Sequence, residues 1–294
     1  MSPGKSTGAI PLARSRMALA WSLLACAVKP HEAPPPPPEP LELVRDTFLF
    51  QGEYGWYFYW FALIGFTLAN GKSILGEKTE INFFHGLALQ VMTAYGGSSI
   101  CAVICGRPVA FFVNESLAPV SICTYCALYY ARSPLTSFMN SVLGSIIISI
   151  AYETMRVHVL MNCAGLAANT LTSFISGAYP VPVAGPLVGG ILGGCGGAFL
   201  PADKGLKPLE NGTNWRIASA VLMSIWIQMS LRDPYSKELI TQLAPVLAQQ
   251  KWCQFCAIAF AVLCGTASVI TGFAPLGPNP LIIKRAPQEK AKKA

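Results

Sequence analysis

The sequence predicts an all-α membrane protein with seven transmembrane helices, of which six form an inverted three-plus-three repeat and the seventh stands outside it. The composition is apolar, with 53% hydrophobic and only 12% charged residues and a mean hydropathy of +0.47. A soluble domain carries roughly twice that charged fraction. Long apolar stretches alternate with short charged loops, which is typical of a polytopic membrane protein. The chain also repeats itself.

The repeat has an offset of one hundred residues and no gaps. Tyr95-Gly96-Gly97 corresponds to Cys195-Gly196-Gly197, and Arg107-Pro108 corresponds to Lys207-Pro208. The same offset relates Asn114 to Asn214, Arg132-Ser133-Pro134 to Arg232-Asp233-Pro234, and Glu53 to Glu153. One glycine pair could coincide by chance among 26 glycines, but so many residue types sharing one offset indicate a duplication. In an apolar chain, such a duplication is typical of membrane transport.

The segments before the first span are not expected to join the fold. Residues 1–28 contain no acidic residue, and Arg14 and Arg16 precede a short apolar run, as in a cleavable signal peptide or an organelle transit peptide. Residues 29–47 include a polyproline run and are predicted to form an extended Pro-rich linker.

Seven apolar segments follow the linker. They cover residues 50–70, 85–105, 117–136, 140–163, 184–201, 215–231 and 252–273. The predicted units are a first repeat at 48–138, a second repeat at 139–235, a seventh helix at 236–275 and a basic tail at 276–294.

Orientation follows from the count of crossings. Three crossings are an odd number, so the second repeat must enter from the opposite side of the membrane. The basic tail favours the cytosol and the N-terminus then lies in the lumen. We therefore expect an integral protein of the endoplasmic reticulum or a related internal membrane, with glycosylation at Asn114 and none at Asn211. The net charge of +7 lies partly in the tail and does not indicate nucleic-acid binding.

Glycines occupy matching places in the second and fifth segments. Consecutive glycines weaken a helix by roughly 1 kcal/mol each relative to alanine, which is tolerated where a helix breaks or another backbone approaches. Breaks at matching positions of two repeats mark a permeation site, whereas close helix packing without a break is the alternative. The predicted pore residues are Tyr95, Gly96, Gly97, Gly193, Gly194, Gly196 and Gly197.

Two charges lie inside the fourth apolar segment. Glu153 and Arg156 are three residues apart, so a helix places them on one face. Such charges pair with each other or line a wet cavity, and the pair is either a field-shaping gate or purely structural. Lys204 and Lys207 follow the fifth segment, where they meet either a lipid phosphate or solvent.

Two Cys-x-x-Cys pairs, at Cys123/Cys126 and Cys253/Cys256, allow a thiol oxidoreductase or a zinc site as a less favoured alternative. Both pairs lie in apolar segments without the polar companions that such chemistry needs. The sequence contains no phosphate loop, catalytic triad or metalloprotease motif. We therefore predict neither an enzyme nor a metal site.

At these motifs the chain resembles the trimeric intracellular cation channel family over residues 50–272. The similarity lies in Tyr95-Gly96-Gly97 with the following Gly106-Arg107-Pro108, in the stretch from Tyr152 to His158, and in the glycines from Gly193 to Gly197. The family carries lysine where this chain has Tyr152 and Gly193. Glu153 and Arg156 match the family motif.

The resemblance implies seven helices, a homotrimer with one pore per protomer, and conduction of monovalent cations, mainly potassium, as counter-ions during calcium release. It implies no cofactor beyond a bound phosphoinositide, which we expect near Arg156, Tyr152, Lys204 and Lys207. A secondary transporter on the same inverted repeat is the main alternative.

Overall fold

A computed structural model describes residues 39–77, 81–171, 181–199, 215–273 and 276–277. All the regular elements within these residues are helices, and those from residue 41 onward belong to one compact unit. The described ranges contain eleven α-helices: α1 (Pro40–Phe48), α2 (Gly52–Glu77), α3 (Phe83–Ile104), α4 (Ala110–Val113), α5 (Leu117–Tyr130), α6 (Arg132–Asn140), α7 (Val142–Thr170), α8 (Ala184–Cys195), α9 (Trp215–Leu231), α10 (Pro234–Leu243) and α11 (Gln250–Thr271).

Three of these helices, α3, α7 and α11, are long and apolar enough to cross a membrane. They have 22, 29 and 22 residues, against the roughly 20 that a bilayer core requires. The helices α5, α8 and α9 are apolar but shorter. The described chain is therefore all-helical and compatible with a membrane protein.

Each of the seven predicted segments contains a helix, but three of the segments were bounded wrongly. The first helix continues to Glu77 instead of ending near residue 70, and the fourth continues to Thr170 instead of ending near residue 163. The third segment is two helices, separated at Ala131 with φ −106° and ψ 38°. Pro134 explains the separation, because its ring would clash with the carbonyl of Tyr130 in a continuous helix.

The Pro-rich linker was predicted to extend too far. Residues 40–47 belong to α1, which begins at Pro40, where a missing backbone N–H costs nothing. Glu42 in its first turn and Arg45 in its last turn match the helix dipole. The remaining linker residues 29–38, the predicted signal or transit peptide at 1–28 and the tail from residue 278 lie outside the described residues.

The first helix of each predicted repeat runs in the opposite direction to the other. Phe50, just before α2, stacks on His158, and Phe66 further along α2 stacks on Tyr152. The residue number thus rises along α2 while it falls along α7, so the two helices are antiparallel.

Within the predicted second repeat, successive helices α7, α8 and α9 alternate in direction. Gly185 of α8 lies against Leu171, and Gly193 lies against Cys163, so α7 and α8 are antiparallel. Helix α9 returns parallel to α7, because Arg156 bonds to Ser219 and the carbonyl of Ala164 accepts from Arg232.

Helix α7 joins the two hydrophobic clusters of the core. Tyr152 and Met155 belong to the cluster built mainly from α2, α3 and α5. Val157 and Leu160, about one turn further on, belong to the cluster built with α9 and α11. Charged residues on α7 therefore lie between the two halves of the molecule.

Candidate functional site at the crossing of two helices

Helix α3 crosses α8 and the glycine turn that follows α8, and the two segments run in opposite directions. A Cβ atom built on Gly197 would lie only 2.2 Å from the Cα of Thr93, so the two backbones touch. A Cβ on Gly189 would lie 3.4 Å from Sγ of Cys101. From Thr93 to Cys101 the residue number rises by eight, while from Gly197 to Gly189 it falls by eight, so the two segments are antiparallel.

The predicted break at Gly96 and Gly97 is wrong. Both residues are buried within α3, which continues without interruption from Phe83 to Ile104. The modest helix penalty of glycine is offset here by tertiary packing, to which Tyr95 contributes by contacting Phe66 and Phe111. Unbroken helix packing, the alternative reading of this motif, therefore holds in α3.

The fifth segment does change conformation at its glycines. Helix α8 ends at Cys195, and a 3₁₀ turn covers Gly196–Phe199, with Gly197 at φ −82° and ψ 25°. Gly193 and Gly194 remain inside α8, where a Cβ would lie 2.9 Å from the carbonyl oxygen of Val159 and 2.6 Å from Leu160, respectively. These two glycines let α7 approach closely.

Glu153 and Arg156 form a fully enclosed ion pair, as their spacing predicts. Glu153 is 0% and Arg156 2% exposed. Arg156 donates from Nε at 2.8 Å and from Nη2 at 2.6 Å to Oε2 of the carboxylate. Its Nη1 donates to the carbonyl of Gly194 at 3.2 Å, which connects the ion pair to the end of α8.

The sixth segment supplies partners that the sequence analysis missed. Trp215 is fully buried, and its Nε1 donates to Oε1 of Glu153 at 2.8 Å. Arg156 also donates to Oγ of Ser219 at 2.9 Å and to the carbonyl of Arg216 at 3.2 Å. The available signal was that Trp215, Arg216 and Ser219 stand together at the start of an apolar segment.

Arg216 adds a second buried cation to this network. Its side chain is 8% exposed, and its Cζ lies 5.0 Å from the centre of the Tyr152 ring. Within the described part of the chain, its Nε and Nη2 have no hydrogen-bond partner. The network of Glu153, Arg156 and Arg216 therefore carries one positive charge more than it carries negative charges.

Only two of the four predicted lipid ligands, Tyr152 and Arg156, are among the described residues. Every guanidinium nitrogen of Arg156 bonds to protein atoms, so the pair would have to separate before Arg156 could bind a phosphate. Tyr152 is buried with its ring against Arg216. Lys204 and Lys207 lie outside the described residues. Lipid binding at these positions stays a prediction.

A cavity of about 250 Å³ lies beside α7 and α3. Tyr95, two residues after Thr93 of the crossing, lines it together with Cys163, which contacts Gly193 of α8. Its other lining residues are Phe50, Tyr59, Ser98, Ala102, Pro108, Ala110, Asn114, Leu117, Met155, His158, Val159, Asn162 and Leu166. None of these lining residues is a carboxylate, a lysine or an arginine.

The two Cys-x-x-Cys pairs lie in helices α5 and α11. Cys253 is buried in α11, and Cys256 is partly exposed one turn later. All the cysteines in the described ranges are free thiols, and those ranges hold no group of three or more His, Cys, Asp or Glu that could bind a metal.

The chain was also compared with known proteins. No protein-family model, no curated protein and no solved structure matches it.

Proposed function

We propose that this protein is a potassium-permeable channel of an intracellular membrane, with one pore in each protomer of a homotrimer. The observation that carries the proposal is the cavity that extends as far as Tyr95, next to the crossing where Thr93 and Gly197 touch; its lining is mainly apolar, with hydroxyl and amide groups between the apolar side chains. An ion vestibule that ends at a tight backbone contact is closed there until the contact opens.

The proposed fold is a seven-span inverted repeat, residues 48–138 and 139–235, followed by α11. The antiparallel pairs α2/α7 and α3/α8 support it, because equivalent helices of an inverted repeat run in opposite directions. Seven crossings place the two ends on opposite sides, with the basic tail in the cytosol and the N-terminus in the lumen.

The cavity chemistry supports a monovalent cation as the permeant ion. Tyr59 and Ser98 supply hydroxyl oxygens, and Asn114 and Asn162 supply amide oxygens. Neutral oxygens can replace part of the hydration shell of potassium. Calcium sites usually contain carboxylates, and the residues that line this cavity provide none.

The charged network is proposed to control the crossing. Arg156 holds the carbonyl of Gly194, two residues before the 3₁₀ turn, so a rearrangement of the Glu153–Arg156 pair would move the end of α8. Buried charges in membrane helices commonly serve such gating or sensing roles. An anionic lipid phosphate that drew Arg156 or Arg216 outward would act through the same contact. We propose a phosphoinositide as that lipid and counter-ion flow during calcium release as the physiological task.

Recordings from purified full-length protein in planar bilayers test the proposal. A channel gives unitary potassium currents whose amplitude grows with voltage. Saturable flux coupled to a second solute, without unitary events, would favour the transporter. Thiol oxidation activity that disappears in Cys253→Ser and Cys256→Ser variants would favour the oxidoreductase. Native mass spectrometry of the detergent complex tests the trimer.

A further inference from the structure

The cavity beside α3 and α7 has an aromatic wall that ion passage alone does not require. Phe50, Tyr59, Tyr95 and His158 all line it. Aromatic faces are attractive to cations that shed their water easily, above all to methylated ammonium ions.

Phe50 is held in the wall by an unusual backbone conformation. Its φ of 59° makes it the one non-glycine residue with positive φ among the described residues. The turn is fixed by hydrogen bonds from the Phe50 amide to Thr47 O at 3.0 Å and from the Gln51 amide to Asp46 O at 2.7 Å. A bulky residue in this region is strained, and strain that the surroundings maintain is typical of ligand sites.

The neighbouring rings are fixed as well. Phe50 stacks on His158 with ring centres 4.0 Å apart and meets Tyr59 edge-on at 5.4 Å. His158 Nε2 lies 2.8 Å from the carbonyl of Phe48, and because a carbonyl only accepts, Nε2 carries the proton. The wall is therefore preorganised, which lowers the cost of binding.

Charge and size narrow the class of ligand. The lining residues include no lysine or arginine for an anion and no carboxylate for a divalent cation. The oxygens of Ser98, Asn114 and Asn162 complete the wall. At about 250 Å³, the cavity is smaller than the roughly 300–1,000 Å³ of sites for drug-sized ligands.

We propose that this cavity is a binding site for a small quaternary ammonium ion of the choline type. Phe50 and Tyr59 supply π-faces, and the amide and hydroxyl oxygens contact the rest of the ligand. The site does not rest on conduction, because neither Thr93 nor Gly197, which touch at the crossing, lines the cavity.

Isothermal titration calorimetry on the full-length protein in nanodiscs tests this site. The probes are choline and its uncharged isostere 3,3-dimethylbutan-1-ol. We expect choline to bind at least about threefold more tightly than the isostere, as a cation–π contribution requires. Equal affinity for both probes, or no measurable binding of choline at about 10 mM, overturns the proposal.

Variants assign the binding to the aromatic wall. Tyr59→Leu should weaken choline binding by about threefold to thirtyfold, while Tyr59→Phe, which keeps the ring, stays within about twofold. Tyr130→Leu is the matched control, since Tyr130 is 78% exposed and does not line the cavity. Phe50→Gly removes the second ring, and glycine tolerates the positive φ, so this variant should also weaken choline binding. It provides a second test of the aromatic wall in case Tyr59→Leu does not fold.

If Tyr59→Leu and Phe50→Gly both bind choline as tightly as the unaltered protein does, the proposed site is contradicted. The choline titrations are independent of the bilayer recordings. Choline binding without potassium current would remove the channel proposal alone, and current without choline binding would remove this inference alone.

Discussion

Neutralising Glu153 should destabilise the protein far more than a single lost hydrogen bond. The carboxylate is fully buried and accepts three hydrogen bonds, two from Arg156 and one from Trp215. The variant Glu153→Gln keeps the shape but leaves Arg156 and Arg216 as two buried cations with no anion in the network. The amide NH₂ of glutamine would also face an N–H donor.

The expected loss is about 3–5 kcal/mol of unfolding free energy, the usual cost of removing one partner of a buried ion pair. A Coulomb estimate agrees, because unit charges about 4 Å apart at an effective dielectric constant of about 20 attract by about 4 kcal/mol. The double variant Glu153→Leu/Arg156→Met removes both charges and should lose less than Glu153→Gln alone. Glu42→Gln breaks a pair whose carboxylate is 43% exposed and leaves Arg45 paired with Asp46, so it should cost under about 1 kcal/mol.

The assay is equilibrium unfolding in mixed micelles with increasing dodecyl sulfate, followed by far-ultraviolet circular dichroism. A loss below about 1 kcal/mol for Glu153→Gln would refute the reasoning, because an enclosed carboxylate cannot be removed so cheaply. A double variant Glu153→Leu/Arg156→Met that is less stable than Glu153→Gln would refute it as well.

Three further predictions concern packing, topology and pH. Gly197→Ala should lose about 1–3 kcal/mol of unfolding free energy in the same assay, because a Cβ 2.2 Å from the Cα of Thr93 must move the backbones apart by about 1.2 Å. The control is Gly165→Ala, whose new Cβ has its nearest contact 3.8 Å away and which should gain up to about 1 kcal/mol of unfolding free energy. Equal changes in the two variants would contradict the crossing. In microsomes, Asn114 should be glycosylated and Asn211 should not, and a glycan on Asn211 would reverse the orientation. The hydrogen bond from Arg45 lowers the pKa of Asp46 below its ordinary 3.8, so the pair stabilises α1 fully above that pH and loses its effect as pH falls through the lower folded-state pKa. Amide exchange in α1 should therefore be faster in Asp46→Asn than in the unaltered protein at pH 7, and the difference should shrink as the pH falls below 3.8; a difference that does not change with pH would count against the pair.

The sequence predicted helices in all seven apolar segments because hydropathy and length act locally along the chain. It also predicted the Glu153–Arg156 pair, since a spacing of three residues is a local property of a helix. The same local signals wrongly predicted a helix break at Gly96 and Gly97, because the conformation there depends on packing against helices that are distant in sequence.

Long-range partners were beyond the reach of local patterns. Trp215 reaches Glu153 across 62 residues, and nothing in the spacing of either residue indicates the contact. The cavity wall combines Phe50, Tyr95, Asn114 and His158, which are far apart in the sequence. Helix α1 was missed because a proline run precedes it, although Pro40 itself suits the first helical position.

The most direct test of the closed crossing is a planar-bilayer comparison of the unaltered protein with Gly197→Ala and Gly165→Ala. If Thr93 and Gly197 form the gate, the added methyl group holds the helices apart and raises the open probability for potassium in Gly197→Ala, while Gly165→Ala behaves like the unaltered protein. Identical potassium currents in all three proteins, or no current in any of them, would contradict the proposed gate.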